Sequence, residues 1–472
     1  MIEAVARLAD AGPGLPLIIA VLAAGLYLTI LLRGLQFRRL LAGLRLVATR
    51  HDESEADGDL SHGQALAISL ASSIGAGSVV GVSFALVAGG PGALFWLWVA
   101  GFLGMATRYA EAVLGVRFRE TDVRGEKSGG PMYYLENGVR GGRLGRGLGM
   151  TFAAAAVLAA LGFGNGVQAH AVAATLSDVS GLPPLAIGGI TAFLLGLVVL
   201  GGVRSVGRVA GVLVPALLVV YLGVVGLVLA VHAAELGDAL AAVLEGAFAT
   251  RAAGGGVAGY TLSQALQHGL GRGVLSSEAG FGTGAIAAAT ARTRAPVRQA
   301  LVAMIGPFVD TMVVATLTGL ALLAVGIGSA GAAGAPAGGA SAAGMYAGAA
   351  IAAQRSFGGV LPGGAGTWLV AASIAAFAFS TMLAWAYYGE RSLQYLAGER
   401  AVVPFRLLFV GIVPLGSVLG LELLWVLSDV LRGLMAVPNL LGLVVLSGIV
   451  VRETRAYFGR GNSAEDQPSN GR

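Results

Sequence analysis

The sequence predicts an all-α polytopic membrane protein with about 11 transmembrane helices, ten of them in a five-plus-five inverted repeat after one extra N-terminal span. Three observations predict this fold. Of the 472 residues, 56% are hydrophobic and only 12% are charged, roughly half the charge of a soluble domain. Apolar runs of about twenty residues recur along the chain and end in arginines. Two of these runs are interrupted by glycines and serines.

The first predicted span covers residues 13–32. It is too long for a cleaved secretory signal and lacks a small-residue cleavage site, so we expect it to remain as a membrane helix. A basic loop and the acidic stretch HDESEADGD follow it. Residues 1–62 therefore form the first predicted unit, the extra helix with its cytoplasmic loop.

The other predicted spans fall into two units of five, residues 63–232 and 261–451. In the first unit the spans lie in 63–88, 89–120, 150–175, 184–203 and 209–232. In the second unit they lie in 261–290, 299–326, 366–388, 404–424 and 427–451. Residues 233–260 are expected to form an outer loop with a short helix. The Ala/Gly-rich stretch 327–356 is expected to be an outer loop, and 452–472 a polar tail.

The basic residues predict the orientation. About two dozen of the 30 lysines and arginines lie in alternate loops and in the C-terminal tail. If the chain crosses the membrane an odd number of times, all of these segments lie on the same side. Because cytoplasmic loops are enriched in such residues, we expect the N-terminus outside and the C-terminus in the cytoplasm. The formal charge of +5 then reflects topology, and no nucleic-acid partner is expected. The absence of cysteine excludes disulfides and thiol chemistry.

The first interrupted run contains ASSIGAGSVVG, residues 71–81. Serine and glycine are weak helix formers, and an unwound backbone facing lipid would cost several kcal/mol for each unpaired group. A break here should therefore face the protein interior. The alternative is that the small residues only allow close helix packing.

The second interrupted run contains GRGVLSSEAGFGTG, residues 271–284. The two breaks open consecutive groups of five spans that start from opposite sides of the membrane. This is the pattern of an inverted repeat, in which paired discontinuous helices form a site at mid-depth. Exposed N–H groups at one half-helix end suit a carboxylate, and carbonyls at the other suit a small cation. We therefore expect a binding cavity at the breaks.

At these motifs the chain resembles the alanine or glycine:cation symporter family, prokaryotic secondary transporters of the leucine-transporter-type five-plus-five fold. The resemblance covers residues 63–447. The segments that carry it are GGPGALFWLWVAGFLGMATRYAE (89–111), GGPMYYLENG (129–138), GFGNGVQAH (162–170), RGVLSSEAGFG (272–282), PFVDTMVVATLTGL (307–320), FAFSTMLAWAYYGERSLQYL (377–396) and GLMAVPNLLGLVVLS (433–447).

The resemblance implies symport of a small neutral amino acid with sodium across the prokaryotic plasma membrane, without covalent chemistry or an enzyme cofactor. The implied substrate-binding residues are Ile74, Gly75, Gly77, Gln168, Leu275, Ser277 and Trp385. The implied cation ligands are the carbonyls of Ala71, Ile74 and Phe377 and the hydroxyls of Ser380 and Thr381. Five oxygen ligands suit sodium, which is a hard cation. Asn165 and Gln168, three residues apart, are expected to share one helix face.

Two departures from the family pattern bear on the substrate. Ser78 and Ser277 stand where the family usually has asparagine. Shorter side chains at these two positions leave a wider or more hydrated pocket. They keep transport as the function but weaken the case for alanine or glycine in particular.

Ionisable residues inside the spans are costly and often functional. Asp310 and Glu278 are each candidates for a coupling role, with a structural role as the alternative. Arg108 and Glu111, three residues apart, are expected to form an internal ion pair. Near the outer span ends, we expect Arg272 and Arg432 to extend to the interface, and a gate ion pair is the alternative.

Three alternative functions differ in the features they need. A proton-coupled carrier, or one for a larger amino acid, would keep the same fold. A membrane-embedded enzyme would need a nucleophile with a base, as in the motif G-x-S-x-G, or a metal site, as in the motif H-E-x-x-H, and the sequence has neither motif. A channel would need a repeated selectivity-filter sequence or charged ring, and none is apparent. Sodium-coupled uptake is the favoured interpretation.

Overall fold

A computed structural model describes residues 14–49, 56–139, 141–248, 257–327, 357, 365–419 and 421–460. Helices in the first half are α1 (Gly14–Leu31), α2 (Leu35–Ala48), α3 (His62–Ser73), α4 (Ala76–Gly89), α5 (Ala93–Arg117), α6 (Pro131–Gly138), α7 (Arg143–Leu161), α8 (Gln168–Ser180), α9 (Pro184–Val199), α10 (Gly202–Val231) and α11 (Leu236–Phe248). Helices in the second half are α12 (Val257–Ser277), α13 (Thr283–Ala289), α14 (Pro296–Ala303), α15 (Ile305–Pro307), α16 (Thr316–Ala324), α17 (Ala365–Ala397), α18 (Val402–Val418), α19 (Leu421–Val445) and α20 (Ser447–Arg460).

Other regular structure in the described residues is short. π-Helices at Gly162–Val167 and Phe308–Ala315 join α7 to α8 and α15 to α16. An antiparallel hairpin of β1 (Glu120–Thr121) and β2 (Lys127–Ser128) follows α5. The all-α prediction therefore agrees with the structure apart from this hairpin.

The length and composition of the helices support part of the predicted set of membrane spans. Among the described residues, 6 helices are long and apolar enough to cross a membrane, or up to 7 if the bent pair Val430–Val445 and Ser447–Gly459 counts as one span. Every predicted span overlaps one or more helices. The count of eleven, the inverted repeat, the unit boundaries and the orientation of the termini stay predictions.

Both predicted helix breaks are present. At the first break, α3 ends at Ser73 and α4 begins at Ala76, so that Ile74 and Gly75 are not helical. At the second, α12 ends at Ser277 and α13 begins at Thr283. Helices α3 and α4 are 12 and 14 residues long, which is too short for either to cross a bilayer alone.

Helix α5 packs closely against the second broken helix. A Cβ atom on Gly115 would lie 2.5 Å from the carbonyl oxygen of Ala285 in α13, and a Cβ on Gly273 of α12 would lie 2.6 Å from Ala100 Cβ in α5. Glycines thus let these backbones approach to distances that side chains would prevent. The polar residues of α5 are thereby held beside the break.

Two predicted outer segments and the tail have different outcomes. The short helix expected in 233–260 is present as α11, residues Leu236–Phe248. The Ala/Gly-rich stretch lies outside the described residues beyond residue 327. The predicted tail begins within α20, which continues to Arg460, and residues 461–472 lie outside the described part.

Candidate functional site

A small cavity of about 30 Å³ lies between the two helix breaks. Because its walls come from both interrupted helices, the unwound segments face the protein interior and not lipid. The lining residues are Ser72, Ser73, Gly75, Phe163, Gln168, Arg272, Leu275, Ser276, Glu278, Thr381 and Arg432. The expectation that the breaks line a cavity is met.

The structure brings three of the seven predicted substrate residues to this cavity and places two others next to its walls. Gly75, Gln168 and Leu275 line it, and Ile74, adjacent to Gly75, is fully buried. The Trp385 ring packs edge-on against Phe163, a lining residue, with ring centroids 5.5 Å apart.

Four predicted substrate residues, Ile74, Gly77, Ser277 and Trp385, do not fall among the lining residues. Ser277 Oγ lies 3.4 Å from the place where a Cβ on Gly104 would stand, so its hydroxyl faces α5. Gly77 is in the first turn of α4, and its surroundings lie outside the described part of the chain.

The predicted cation ligands include a compact group of oxygens. Thr381 Oγ1 lies 2.9 Å from the Ala71 carbonyl oxygen and 3.1 Å from that of Phe377. Ser380 Oγ donates to the same Phe377 carbonyl at 2.8 Å. Ala71 is in the last turn of α3, where carbonyl groups lack helical partners. This group could coordinate a small hard cation, with Ile74 one residue beyond the end of α3.

A carboxylate from α5 holds the N–H groups of the second break. Glu111 Oε1 accepts hydrogen bonds from the Gly280 and Gly282 N–H groups at 2.9 and 3.0 Å, and from Asn439 Nδ2 at 2.8 Å. Asn439 Nδ2 also donates to the Gly280 carbonyl at 2.8 Å. Buried backbone groups outside a helix need such partners, so Glu111 and Asn439 keep the unwound segment in one conformation.

A second residue of α5 forms a hydrogen bond at the start of the break, where α12 ends. Arg108 Nη2 donates to the Ser277 carbonyl, and Arg108 Nη1 lies 3.6 Å from Glu111 Oε2. Both side chains are almost completely buried. The predicted ion pair is therefore confirmed, but its contact with the break was not predicted. Two opposite charges in one apolar span are the signal that could have suggested it.

Glu278 connects the second break to the cavity wall. Its Oε1 accepts from Trp385 Nε1 at 3.2 Å and its Oε2 accepts from Thr283 Oγ1 at 3.0 Å. Its φ of 50° is left-handed, a conformation that costs a non-glycine residue of order 1–3 kcal/mol. The surrounding hydrogen bonds offset that cost and hold the carboxylate at the cavity.

Asp310 contacts the cavity through a serine. Ser276 Oγ, which belongs to the cavity lining, donates to Asp310 Oδ2 at 2.8 Å. Asp310 lies in the second π-helix and is fully buried. A titratable group is thus one hydrogen bond away from the space between the breaks.

The structure corrects the prediction for the two outer arginines. Arg272 and Arg432 line the cavity instead of extending to the interface, and Arg432 is only 4% exposed. Their guanidinium carbons lie 4.1 and 4.3 Å from the ring centres of Phe84 and Phe163. Such stacking on aromatic faces stabilises a cation away from bulk water.

The expected shared face of Asn165 and Gln168 is also wrong. Asn165 Nδ2 donates to the Phe409 carbonyl in α18, whereas Gln168 lines the cavity. Residues Gly162–Val167 are π-helical, so the spacing of an α-helix does not apply there.

Position 282 requires a glycine because of its backbone conformation and because a side chain would have no space there. Its φ is 84°, and a Cβ there would lie 2.3 Å from Pro131 Cγ. We expect Gly282→Ala to lower the midpoint of thermal unfolding in detergent, through a destabilisation of about 1–3 kcal/mol. In Gly147→Ala, within α7, no atom approaches the new Cβ within 4 Å. That control should be neutral or slightly stabilising, and equal effects would contradict the argument.

A second charge cluster lies away from the cavity, around the hairpin. Arg391 Nη1 donates to Asp122 Oδ2 at 3.0 Å, and Arg391 Nη2 contacts Glu126. Gln394 Nε2 also donates to Asp122 Oδ2, at 2.9 Å. Burial alone would raise the pKa of Asp122, but these bonds, backbone N–H groups and the Arg391 charge hold its pKa below the usual value.

This depressed pKa predicts the effect of acid. Stability from Asp122 is present above the unfolded pKa of about 3.9 and is lost as pH falls through the lower folded value. We expect the thermal midpoint in detergent to fall less between pH 5 and pH 3 in Asp122→Asn than in the wild type. Asp178→Asn, at an exposed position on α8, is the control. An unchanged slope for Asp122→Asn would contradict the prediction.

Comparison with known proteins identifies the family. The family model of the sodium:alanine symporter family matches residues 2–470. The chain belongs to this family. Its members are cation-coupled amino acid transporters, so this chain is a multi-pass membrane transporter and not an enzyme.

Several proteins are similar to this member of the sodium:alanine symporter family over most of its length. Sodium/alanine symporter AgcS of Methanococcus maripaludis is 40% identical over 93% of this chain and 94% of its own length. Putative sodium/proton-dependent alanine carrier protein YrbD of Bacillus subtilis is 32% identical over 92% and 87%. Probable sodium/glutamine symporter GlnT of the same organism is 31% identical over 95% and 89%.

A solved structure is also similar. It is the Eremococcus coleocola manganese transporter in complex with an aromatic bis-isothiourea substituted compound. The likeness covers 89% of this chain and 93% of that one, with a TM-score of 0.48 and 15% identity.

Proposed function

We propose that this chain imports a small neutral amino acid, such as alanine or glycine, by symport with sodium. The site is the cavity between the two breaks, and access alternates between the two sides of the membrane as the helices around it move. The single observation that carries the proposal is this cavity, since both unwound segments meet there.

The cavity offers groups of both signs to an amino acid. Gln168 Oε1 is buried and accepts no hydrogen bond from the described residues, and Gln168 lines the cavity. A buried acceptor without a partner is costly, and a substrate ammonium would satisfy it. The N-terminal end of α4, which begins directly after Gly75, suits the substrate carboxylate.

Sodium would be coordinated by the oxygens of Ala71, Ile74, Phe377, Ser380 and Thr381. This assignment is supported by the short distances from the Thr381 hydroxyl to two of the carbonyls. Because Ala71 and Gly75 lie on the same broken segment, an ion here would fix the conformation of the substrate site. That linkage is what symport requires.

Uptake into liposomes tests the proposal. Labelled alanine, glycine and glutamine are offered to the reconstituted protein under an inward sodium gradient, or under an inward proton gradient without sodium. We expect sodium-driven uptake of alanine or glycine. Uptake of glutamine alone would overturn the substrate assignment. Uptake driven only by protons would overturn the assignment of sodium as the coupling ion.

Proton coupling is the second candidate, and the bond between Ser276 and Asp310 favours it. The expected result for Asp310→Asn under the sodium proposal is uptake that still follows the sodium gradient, with a reduced rate. If protons are coupled through Asp310, the variant loses its response to a proton gradient while substrate binding remains. Measuring uptake at fixed sodium and varied external pH separates the two outcomes.

A further inference from the structure

A second and larger cavity, of about 200 Å³, lies where α1 ends and meets the C-terminal helix α20. It has no part in the proposed substrate site. Its walls come from the end of α1, the turn after it, the start of α2 and one face of α20. The lining residues are Leu31, Leu32, Arg33, Leu35, Arg38, Arg39, Val451, Thr454, Arg455 and Phe458.

The charge of this cavity is of one sign. Arg33, Arg38, Arg39 and Arg455 line it, and no acidic residue does. Among the described residues none of these four arginines forms an ion pair. The nearby Glu453 is bonded to Arg117 instead. Four guanidinium groups around one cavity repel one another, and an anion would relieve that repulsion.

Guanidinium geometry specifies the kind of anion. Arginine presents a planar fork of donors that matches phosphate oxygens, and it is the preferred residue for binding phosphate. The Arg39 guanidinium stacks on the Phe458 ring, with its carbon 4.2 Å from the ring centre. This stacking fixes one of the forks and joins α2 to α20 across the cavity.

The position of the cavity indicates where the phosphate comes from. Helix α2 is amphipathic and exposes Phe37 and Leu41, at 68% and 70%, beside its exposed arginines. A basic helix with exposed aromatic and aliphatic side chains lies in the membrane interface. Helix α1, a membrane-spanning candidate, ends at Leu31 at the edge of the cavity. The cavity is therefore at the depth of lipid headgroups.

We propose that this cavity binds the phosphate of an anionic phospholipid headgroup. Its four arginines would bind the phosphate, and the leucines and Val451 would contact the start of the acyl chains. Basic pockets between membrane helices on the cytoplasmic side bind anionic headgroups in this way. Free phosphate shares the charge but makes no use of the apolar wall. The bound lipid would hold α1 and α2 to α20.

The test uses the full-length purified protein and measures retained lipid by native mass spectrometry. Phosphatidylglycerol, phosphatidylcholine and inorganic phosphate are offered in turn. We expect selective retention of phosphatidylglycerol, with binding at least tenfold weaker in Arg38→Gln/Arg39→Gln. Arg38→Lys/Arg39→Lys keeps the charge but loses the fork, so its loss should be intermediate.

The control is Arg45→Gln/Arg143→Gln, which removes the same charge at exposed positions outside the cavity. It should bind phosphatidylglycerol like the wild type. Equal loss in the control would mean attraction by net charge alone, and equal retention of phosphatidylcholine would mean no headgroup preference. Binding of inorganic phosphate in place of the lipid would assign the site to a free anion. Each of these results would overturn the proposal.

Discussion

Replacing Glu111 with alanine is expected to destabilise the protein by about 3–5 kcal/mol, the range for breaking a buried ion pair by removing one partner. The variant would leave the buried Arg108 without its ion-pair partner. It would also leave the Gly280 and Gly282 N–H groups without their acceptor. The unwound segment has no helical hydrogen bonds to replace these, so the second break should lose its shape. Thermal unfolding in detergent measures the loss.

The same helix supplies a matched control. Arg117 lies at the end of α5 and pairs with Glu453 at 3.1 Å, but these side chains are 55% and 28% exposed. Exposed pairs contribute about 0–1 kcal/mol, so Glu453→Ala should leave the unfolding midpoint almost unchanged. Glu111→Gln tests the mechanism further, because it keeps an acceptor for the N–H groups and removes the charge. If Glu111→Ala unfolded like Glu453→Ala, the assigned role of Glu111 would be wrong.

Thr381→Ala is expected to weaken sodium binding about 10- to 100-fold, since a hydrogen bond or contact to a charged group contributes about 1.5–3 kcal/mol. The hydroxyl lies within 3.1 Å of the Ala71 and Phe377 carbonyls, so its removal takes away one ligand and leaves the others. Sodium-dependent protection from thermal unfolding measures the affinity. Thr381→Ser restores the hydroxyl and should recover most of the binding.

Thr151→Ala is the control for this variant. Thr151 also donates to a carbonyl four residues earlier, that of Gly147 at 3.0 Å, but it is exposed on α7. Its sodium dependence should equal that of the wild type. A Thr381→Ala protein with an unchanged sodium midpoint would exclude the hydroxyl as a ligand, and the coupling ion would then have to bind elsewhere.

Local composition was enough to predict both helix breaks. Clusters of glycine and serine inside apolar runs disfavour a continuous helix whatever surrounds them, so a break within residues 71–81 and another within 271–284 could be predicted without knowing the fold. The structure narrows them to residues 74–75 and 278–282. The pairing of Arg108 with Glu111 could also be predicted from a short stretch of sequence, because residues three apart on a helix are neighbours.

Contacts between distant segments could not be predicted in this way. Asn439 bonds to Glu111 and Gly280, but nothing in its own surroundings in the sequence indicates which helix it faces. The position of Arg432 near a span end suggested the interface, whereas the ring of Phe163 in a π-helix receives it. For Asn165 the error came from assuming an α-helical period where the helix is wider.

The two π-helices, Gly162–Val167 and Phe308–Ala315, restrict how the helices beside the cavity can rearrange. A π-helix pairs each N–H with the carbonyl five residues back, so it holds a surplus residue that an α-helix would not. A surplus residue is either held or released, and its release would turn the following side chains by about 100° and advance them about 1.5 Å. Gln168 and Asp310 lie after or within these segments. The orientation of Gln168 toward the cavity, and of Asp310 toward Ser276, is thus set in whole residues and not by gradual bending.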